Sequence, residues 1–213
     1  MANLLDYAVQ RGDDDAPILV LLHGRGADEG DLGPVGRMIA DHATVVTPRA
    51  PFPAEPWGYG PGWAWYRFLS GTTPEPQSFR EGQARLDAFL EAIPGLLGKP
   101  DAQLLVGGFS QGGTSSLAWS LRHPGCAAAV LVFSGFLADH PDVSATAETV
   151  AGTPIWWGHG TEDPAIPFAA AEAGWLALSA AGANLETHAY PNTGHTIIRD
   201  ELLSAAEFLE RVN

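Results

Sequence analysis

Ser110, Asp163 and His195 lie far apart in this 213-residue chain, yet each has the type and setting that acyl transfer requires. The apolar run Leu104-Leu105-Val106 ends in Gly107-Gly108-Phe109-Ser110-Gln111-Gly112-Gly113, so Ser110 is centred in G-x-S-x-G between a predicted strand and a predicted helix. A serine on so sharp a turn is held in a strained backbone conformation. Its neighbours two residues away pass close to other backbone, which is where glycine is needed. The turn also places Ser110 at a helix N-terminus, where unpaired N–H groups and the helix dipole favour a developing oxyanion.

A serine hydroxyl is a weak nucleophile until a base takes its proton, and that base must be oriented by a third group. Of seven histidines, His195 follows the last predicted strand in Asn192-Thr193-Gly194-His195, a loop that suits a return to Ser110. His188 falls inside a strand. His42, His123 and His140 belong to surface turns or helix ends, while His23 and His159 precede glycines at strand ends and read as loop braces. For the acid, Asp163 in Thr161-Glu162-Asp163-Pro164 is preferred to Glu162, because a proline-stiffened turn fixes a short carboxylate. Asp139 and Asp142 are the fallback acids. Two backbone donors complete the set: the N–H of Gln111, and one from His23-Gly24-Arg25-Gly26, assigned to Arg25. The Arg25 side chain either points into the cleft, favouring an acidic or polar substrate, or pairs with Asp28 or Glu29.

These residues need a scaffold that brings loop ends together. Ile18–Leu22, Thr44–Thr47, the apolar run that begins at Leu104 and leads into the serine turn, Ala128–Phe133, Pro154–Trp157 and Asn184–Tyr190 read as strands, with Leu4–Val9 as a short first one. Helical spacing follows in the segment from Leu32 to Ile39, with Asp28 and Glu29 expected in its first turn, and again in Phe79–Leu97, Gln111–His123, Phe168–Ala181 and Ile197–Val212. On the last strand, Leu185, Thr187 and Ala189 are expected to share a face. Strands alternating with helices predict an α/β fold with a mostly parallel, doubly wound sheet, as one domain over 1–213 with no large cap. Sites in such sheets form beyond the carboxyl ends of the strands. Every candidate above lies at one. Residues 51–77 break the pattern with prolines, glycines and many aromatic rings. They predict a folded excursion bordering the site, with Trp65 and, from a later loop, Phe136 expected at the substrate.

Composition narrows the classes. The net charge of −14, with Lys99 as the single lysine, argues against nucleic acid and anionic membrane surfaces as partners. No window approaches the roughly 20 apolar residues of a membrane span. Met1 to Asp15 lacks a basic region followed by an apolar core, so no signal peptide is expected. The only cysteine, Cys126, excludes an internal disulfide and reads as a buried spectator; a cytoplasmic location is expected. The Asp13-Asp14-Asp15 turn reads as a solvated loop rather than a metal site. Aromatic residues within 57–68 would serve a homodimer as readily as a substrate.

The blocks Leu21-Leu22-His23-Gly24-x-Gly26, Gly108-Phe109-Ser110-Gln111-Gly112-Gly113, His159-Gly160-x-x-Asp163-Pro164-x-x-Pro167 and Gly194-His195 resemble the phospholipase/carboxylesterase family of α/β-hydrolases, which includes acyl-protein thioesterases. Trp65-Tyr66 is a looser match to that family's Trp-Phe. The resemblance runs from about residue 17 to the C-terminus. It implies an α/β-hydrolase fold, hydrolysis of small-molecule esters or thioesters without cofactor or metal, and triad roles for Ser110, Asp163 and His195. The expectation is a serine carboxylesterase acting on small to medium acyl esters in an open cleft. The alternatives are an acyl thioesterase or lysophospholipase on the same site, or a non-catalytic binding protein. Arg25 departs from the family, standing where the thioesterases usually have leucine.

Overall fold

The apolar runs become the middle of a seven-stranded sheet in the computed structural model, which describes residues 4–212. In chain order the strands of this sheet are β1 (Tyr7–Gln10), β2 (Ile18–Leu22), β3 (Thr44–Pro48), β8 (Leu104–Phe109), β9 (Ala129–Phe133), β10 (Ile155–Gly160) and β11 (Leu185–Tyr190). Across the sheet the order is β1-β3-β2-β8-β9-β10-β11. Only the β1–β3 pair is antiparallel. The expected mostly parallel sheet is therefore present, with β1 starting later than Leu4.

Five helices cover it: α1 (Gly33–Ile39), α2 (Pro76–Leu96), α3 (Gln111–Arg122), α4 (Phe168–Ala180) and α5 (Arg199–Val212). Alternation along β2 shows why both faces need a cover. Ile18, Val20 and Leu22 pack with residues of α2, α3 and α4, whereas Leu19 and Leu21 pack with residues of α1 and α5. All five are fully buried. Each such side chain contributes about 2 kcal/mol of transfer free energy, and a polar residue on either face would forfeit it.

Residues 51–77 fold into two small hairpins. The first pairs β4 (Phe52–Pro53) with β5 (Trp63–Ala64), and the second pairs β6 (Phe68–Ser70) with β7 (Thr73–Pro74). Their rings pack mostly on one another: Phe52 on Trp57, Trp57 on Tyr59, Tyr59 on Phe68, Phe68 on Tyr66, and Tyr66 on Phe79 of α2. This is packing, not an open aromatic surface. The Glu75 carboxylate closes the excursion by accepting the amides of Gln77 and Ser78 at 3.1 and 2.7 Å, capping α2.

Several sequence expectations are corrected. Asp28 and Glu29 precede α1 instead of opening it; Asp28 accepts the Gly30 amide, and Glu29 pairs with Arg49. On β11, as expected, Leu185, Thr187 and Ala189 share one face and alternate with Glu186, His188 and Tyr190; Leu185 packs on the core, while Thr187 and Ala189 are exposed. The face with Glu186, His188 and Tyr190 meets a polar partner, since Ser204 of α5 hydrogen-bonds both His188 and Trp156. Cys126 is exposed, and His140 is buried against Phe79. Among the described residues no helix is long and apolar enough to cross a membrane.

Beneath the sheet's α5 face lies an acid with little support. Glu201 is only 1% exposed, and among the described residues its side chain has one hydrogen bond, a long one of 3.4 Å from the Ile198 amide to Oε2. Oε1 has no partner. Burial pushes the carboxyl from 4.5 up to about 8. The folded value lies above the unfolded one, so the protonated acid is favoured by folding. That stability is fully present below about pH 4.5 and is lost as pH rises to about 8. Glu201→Gln does not titrate. Urea unfolding of the pair at pH 5 and pH 8 should show the variant gaining on wild type by about 3 kcal/mol at the higher pH. A gap independent of pH would mean that Glu201 ionises freely.

Candidate active site

The turn from β8 into α3 carries the serine. Ser110 has φ 56° and ψ −118°, a left-handed conformation that a side chain adopts only under constraint. Its amide donates to Phe133 O of β9 at 2.8 Å, which fixes the strained residue against the sheet. The flanking glycines are explained by crowding. A Cβ on Gly108 would lie 2.5 Å from Leu22 O, and one on Gly112 only 1.9 Å from the same oxygen.

His195 comes from the loop after β11 and Asp163 from the loop after β10, and the three side chains meet. The His195 ring lies 2.9 Å through Nε2 from Ser110 Oγ and 2.6 Å through Nδ1 from Asp163 Oδ2. A carboxylate only accepts, so the ring proton sits on Nδ1 and Nε2 is left to accept the serine proton. The other carboxylate oxygen accepts the amides of Ala165 and Ile166 at 2.8 and 2.9 Å. Asp163 is thereby buried, oriented and satisfied as an anion. Neither fallback acid comes near: Asp139 accepts from Thr73, and Asp142 pairs with Arg80.

Phe109 supports the ring from the side, its centroid 4.7 Å from that of His195. It fills a variable position of the five-residue motif, so nothing in the sequence pattern singles it out. His159, expected as a brace, lies 2.9 Å through Nε2 from Ile166 O and 3.4 Å from Asp163 Oδ2. Burial lowers its pKa, which keeps a second cation away from the His195–Asp163 pair.

The first strand–helix loop is held as firmly. His23 accepts the Ala50 amide on Nε2 at 3.0 Å, so Nδ1 carries the proton given to Gly24 O at 2.7 Å. Burial lowers its pKa as well, and the neutral ring is the form that makes both bonds. Next to it, the amides of Arg25 and Gln111 have no hydrogen-bond acceptor among the described residues. Both residues line a cavity of about 580 Å³ that also reaches Ser110 and His195.

Phe136 and Phe68 line this cavity, but Trp65 does not. Trp65 is 1% exposed, and its indole N–H donates to His23 O at 2.9 Å. Its expected place at the substrate is corrected to support of the His23 loop, since a buried indole needs an acceptor more than a ligand. The Gln111 side chain, which sequence reasoning left unassigned, accepts the Trp65 amide at 2.8 Å and donates to Tyr66 O at 2.7 Å.

A mostly parallel sheet with a strained serine between β8 and α3, facing a histidine from the last loop, defines an α/β-hydrolase fold. The chain belongs to the phospholipase/carboxylesterase family, whose sequence model matches residues 6–213. It is 31% identical over 214 residues to esterase YpfH of Escherichia coli K12, covering 95% of this chain and 86% of that protein. A probable carboxylesterase of Oryza sativa subsp. japonica is 38% identical over 117 residues, which spans 53% of this chain and 43% of the rice protein. The crystal structure of a carboxylesterase from Mesorhizobium loti superposes with a TM-score of 0.84 at 26% identity, covering 99% and 97% of the two chains.

Proposed function

We propose that this chain is a serine carboxylesterase cleaving small to medium acyl esters through an acyl-enzyme. The hydrogen-bonded line from Ser110 through His195 to Asp163, opening into a largely apolar cavity, carries the reading. His195 Nε2 takes the hydroxyl proton as Ser110 Oγ attacks the ester carbonyl. The carbonyl π pair moves onto oxygen, where the amides of Arg25 and Gln111 stabilise it. Collapse expels the alcohol, which receives the proton from His195, and leaves Ser110 acylated. Water then repeats the sequence with the same base and releases the carboxylic acid. Asp163 orients the ring and stabilises its cation without taking the proton. The lone cysteine suits a reducing, cytoplasmic setting.

A fluorophosphonate probe tests the nucleophile directly. One label per chain on the Ser110 peptide is expected, together with p-nitrophenyl ester hydrolysis that declines from medium to long acyl chains. Labelling elsewhere, or no labelling and no hydrolysis at any length, would sink the assignment. A rate flat from acetate to laurate would refute the limit on acyl size.

A further inference from the structure

The backbone of Arg25 faces the proposed oxyanion, but its side chain turns to the excursion. The guanidinium carbon lies 4.5 Å from the centre of the Tyr59 ring and 5.5 Å from that of Phe68. Such stacking holds the plane of the group and leaves its N–H donors free for hydrogen bonds. Of the two acids adjacent in sequence, Glu29 is taken by Arg49, and Asp28 is turned to the Gly30 amide. Among the described residues, Arg25 has neither an ion pair nor a side-chain hydrogen bond, whereas Arg49, Arg80, Arg122 and Arg211 each hold a carboxylate. Arg25 and Phe68 both line the cavity, and no acid lines it.

An oriented, solvent-exposed cation therefore stands without a carboxylate partner at the Phe68 edge of the cavity, in a chain of net charge −14 where carboxylates are plentiful. We propose that Arg25 selects esters bearing a carboxylate a few bonds from the scissile carbonyl, held at the Phe68 end of the cavity. A planar carboxylate matches the guanidinium fork in two parallel hydrogen bonds. The proposal deepens the esterase reading and rests on it. The Tyr59 and Phe68 rings position the cation.

The test uses matched ester pairs. Mono-4-nitrophenyl glutarate against 4-nitrophenyl pentanoate places the anion in the acyl part. 4-Acetoxyphenylacetate against its methyl ester places it in the alcohol part. The readout is the anionic-to-neutral ratio of kcat/KM in wild type, Arg25→Gln and Arg25→Lys, so a general loss in a variant cancels. In at least one pair, wild type should exceed Arg25→Gln by about tenfold, the scale of one charge-assisted contact at a partly open site. The excess should shrink with added salt, and Arg25→Lys should fall between. Equal ratios in both pairs across the three proteins, with the neutral esters still cleaved, would overturn the proposal. Neutral esters untouched by wild type, or cleaved equally by Ser110→Ala, would bring down the esterase reading and this proposal with it.

Discussion

Ser110→Ala is expected to lower kcat for p-nitrophenyl esters by about a millionfold, and Asp163→Asn by about ten-thousandfold. The two losses have different origins. Alanine removes the attacking oxygen that lies 2.9 Å from His195 Nε2, leaving only binding and the oxyanion donors. Asparagine keeps the size of the acid, and its carbonyl oxygen can still accept the Ala165 and Ile166 amides, so the loop persists. Its NH2 group then faces His195 Nδ1, where an acceptor stood. Two donors cannot share that position, so the ring is driven to the tautomer that carries its proton on Nε2, facing Ser110. Stopped assays on both variants, with thermal unfolding to confirm the fold, decide the matter. Residual activity of Ser110→Ala near that of wild type would remove Ser110 from the chemistry. An Asp163→Asn variant within tenfold of wild type would mean that another group orients the ring.

Gly112→Ala should not yield a folded protein. The added carbon would sit 1.9 Å from Leu22 O, 2.5 Å from Leu22 C and 2.6 Å from His23 O. Those atoms belong to β2 and the turn that follows it. β2 is hydrogen-bonded between β3 and β8, so it cannot retreat without breaking a ladder. The cost exceeds about 4 kcal/mol, a large part of the stability of an ordinary domain. Gly95→Ala is the control: it lies within α2 with nothing near its Cβ position, and alanine there should be neutral or stabilising by up to about 1 kcal/mol. Soluble yield and urea midpoints of the two variants give the comparison. A well-folded Gly112→Ala protein would show that the turn has room to open.

What the sequence revealed followed from the reach of each signal. Buried strands write themselves as continuous apolar runs, so Ile18–Leu22 was legible to the residue and the strand before Ser110 was legible from its start at Leu104, though the glycines hid its end at Phe109. Ser110, Asp163 and His195 were legible because each sits at a strand end, where the topology of a parallel sheet gathers loops. The face shared by Leu185, Thr187 and Ala189 was legible from alternation, but the polar packing of the opposite face, where His188 meets Ser204 and Glu186, was not, because hydropathy alternation is silent about it. Trp65 was placed at the substrate because an aromatic residue near a site looks the same whether its ring faces a ligand or a carbonyl. Asp28 and Glu29 resembled helix-opening acids, but the competing partners Arg49 and the Gly30 amide are known only in space. The ring of Phe109 under His195 and the two bonds of the Gln111 side chain likewise depend on atoms 45 to 86 residues away in sequence.

The double attachment of Gln111 has a consequence for how specificity can change in this lineage. One residue carries an amide proposed as an oxyanion donor and ties Trp65 and Tyr66, in the excursion, to the first turn of α3. The wall of the cavity and the electrophilic end of the site are thus a single mechanical part. Residues at the tip of the second hairpin, such as Thr72, which lines the cavity, can be exchanged to reshape the cavity mouth without touching the serine turn. An excursion grafted from another protein will transmit its own strain directly to the proposed oxyanion donor unless it brings two backbone groups to meet that glutamine.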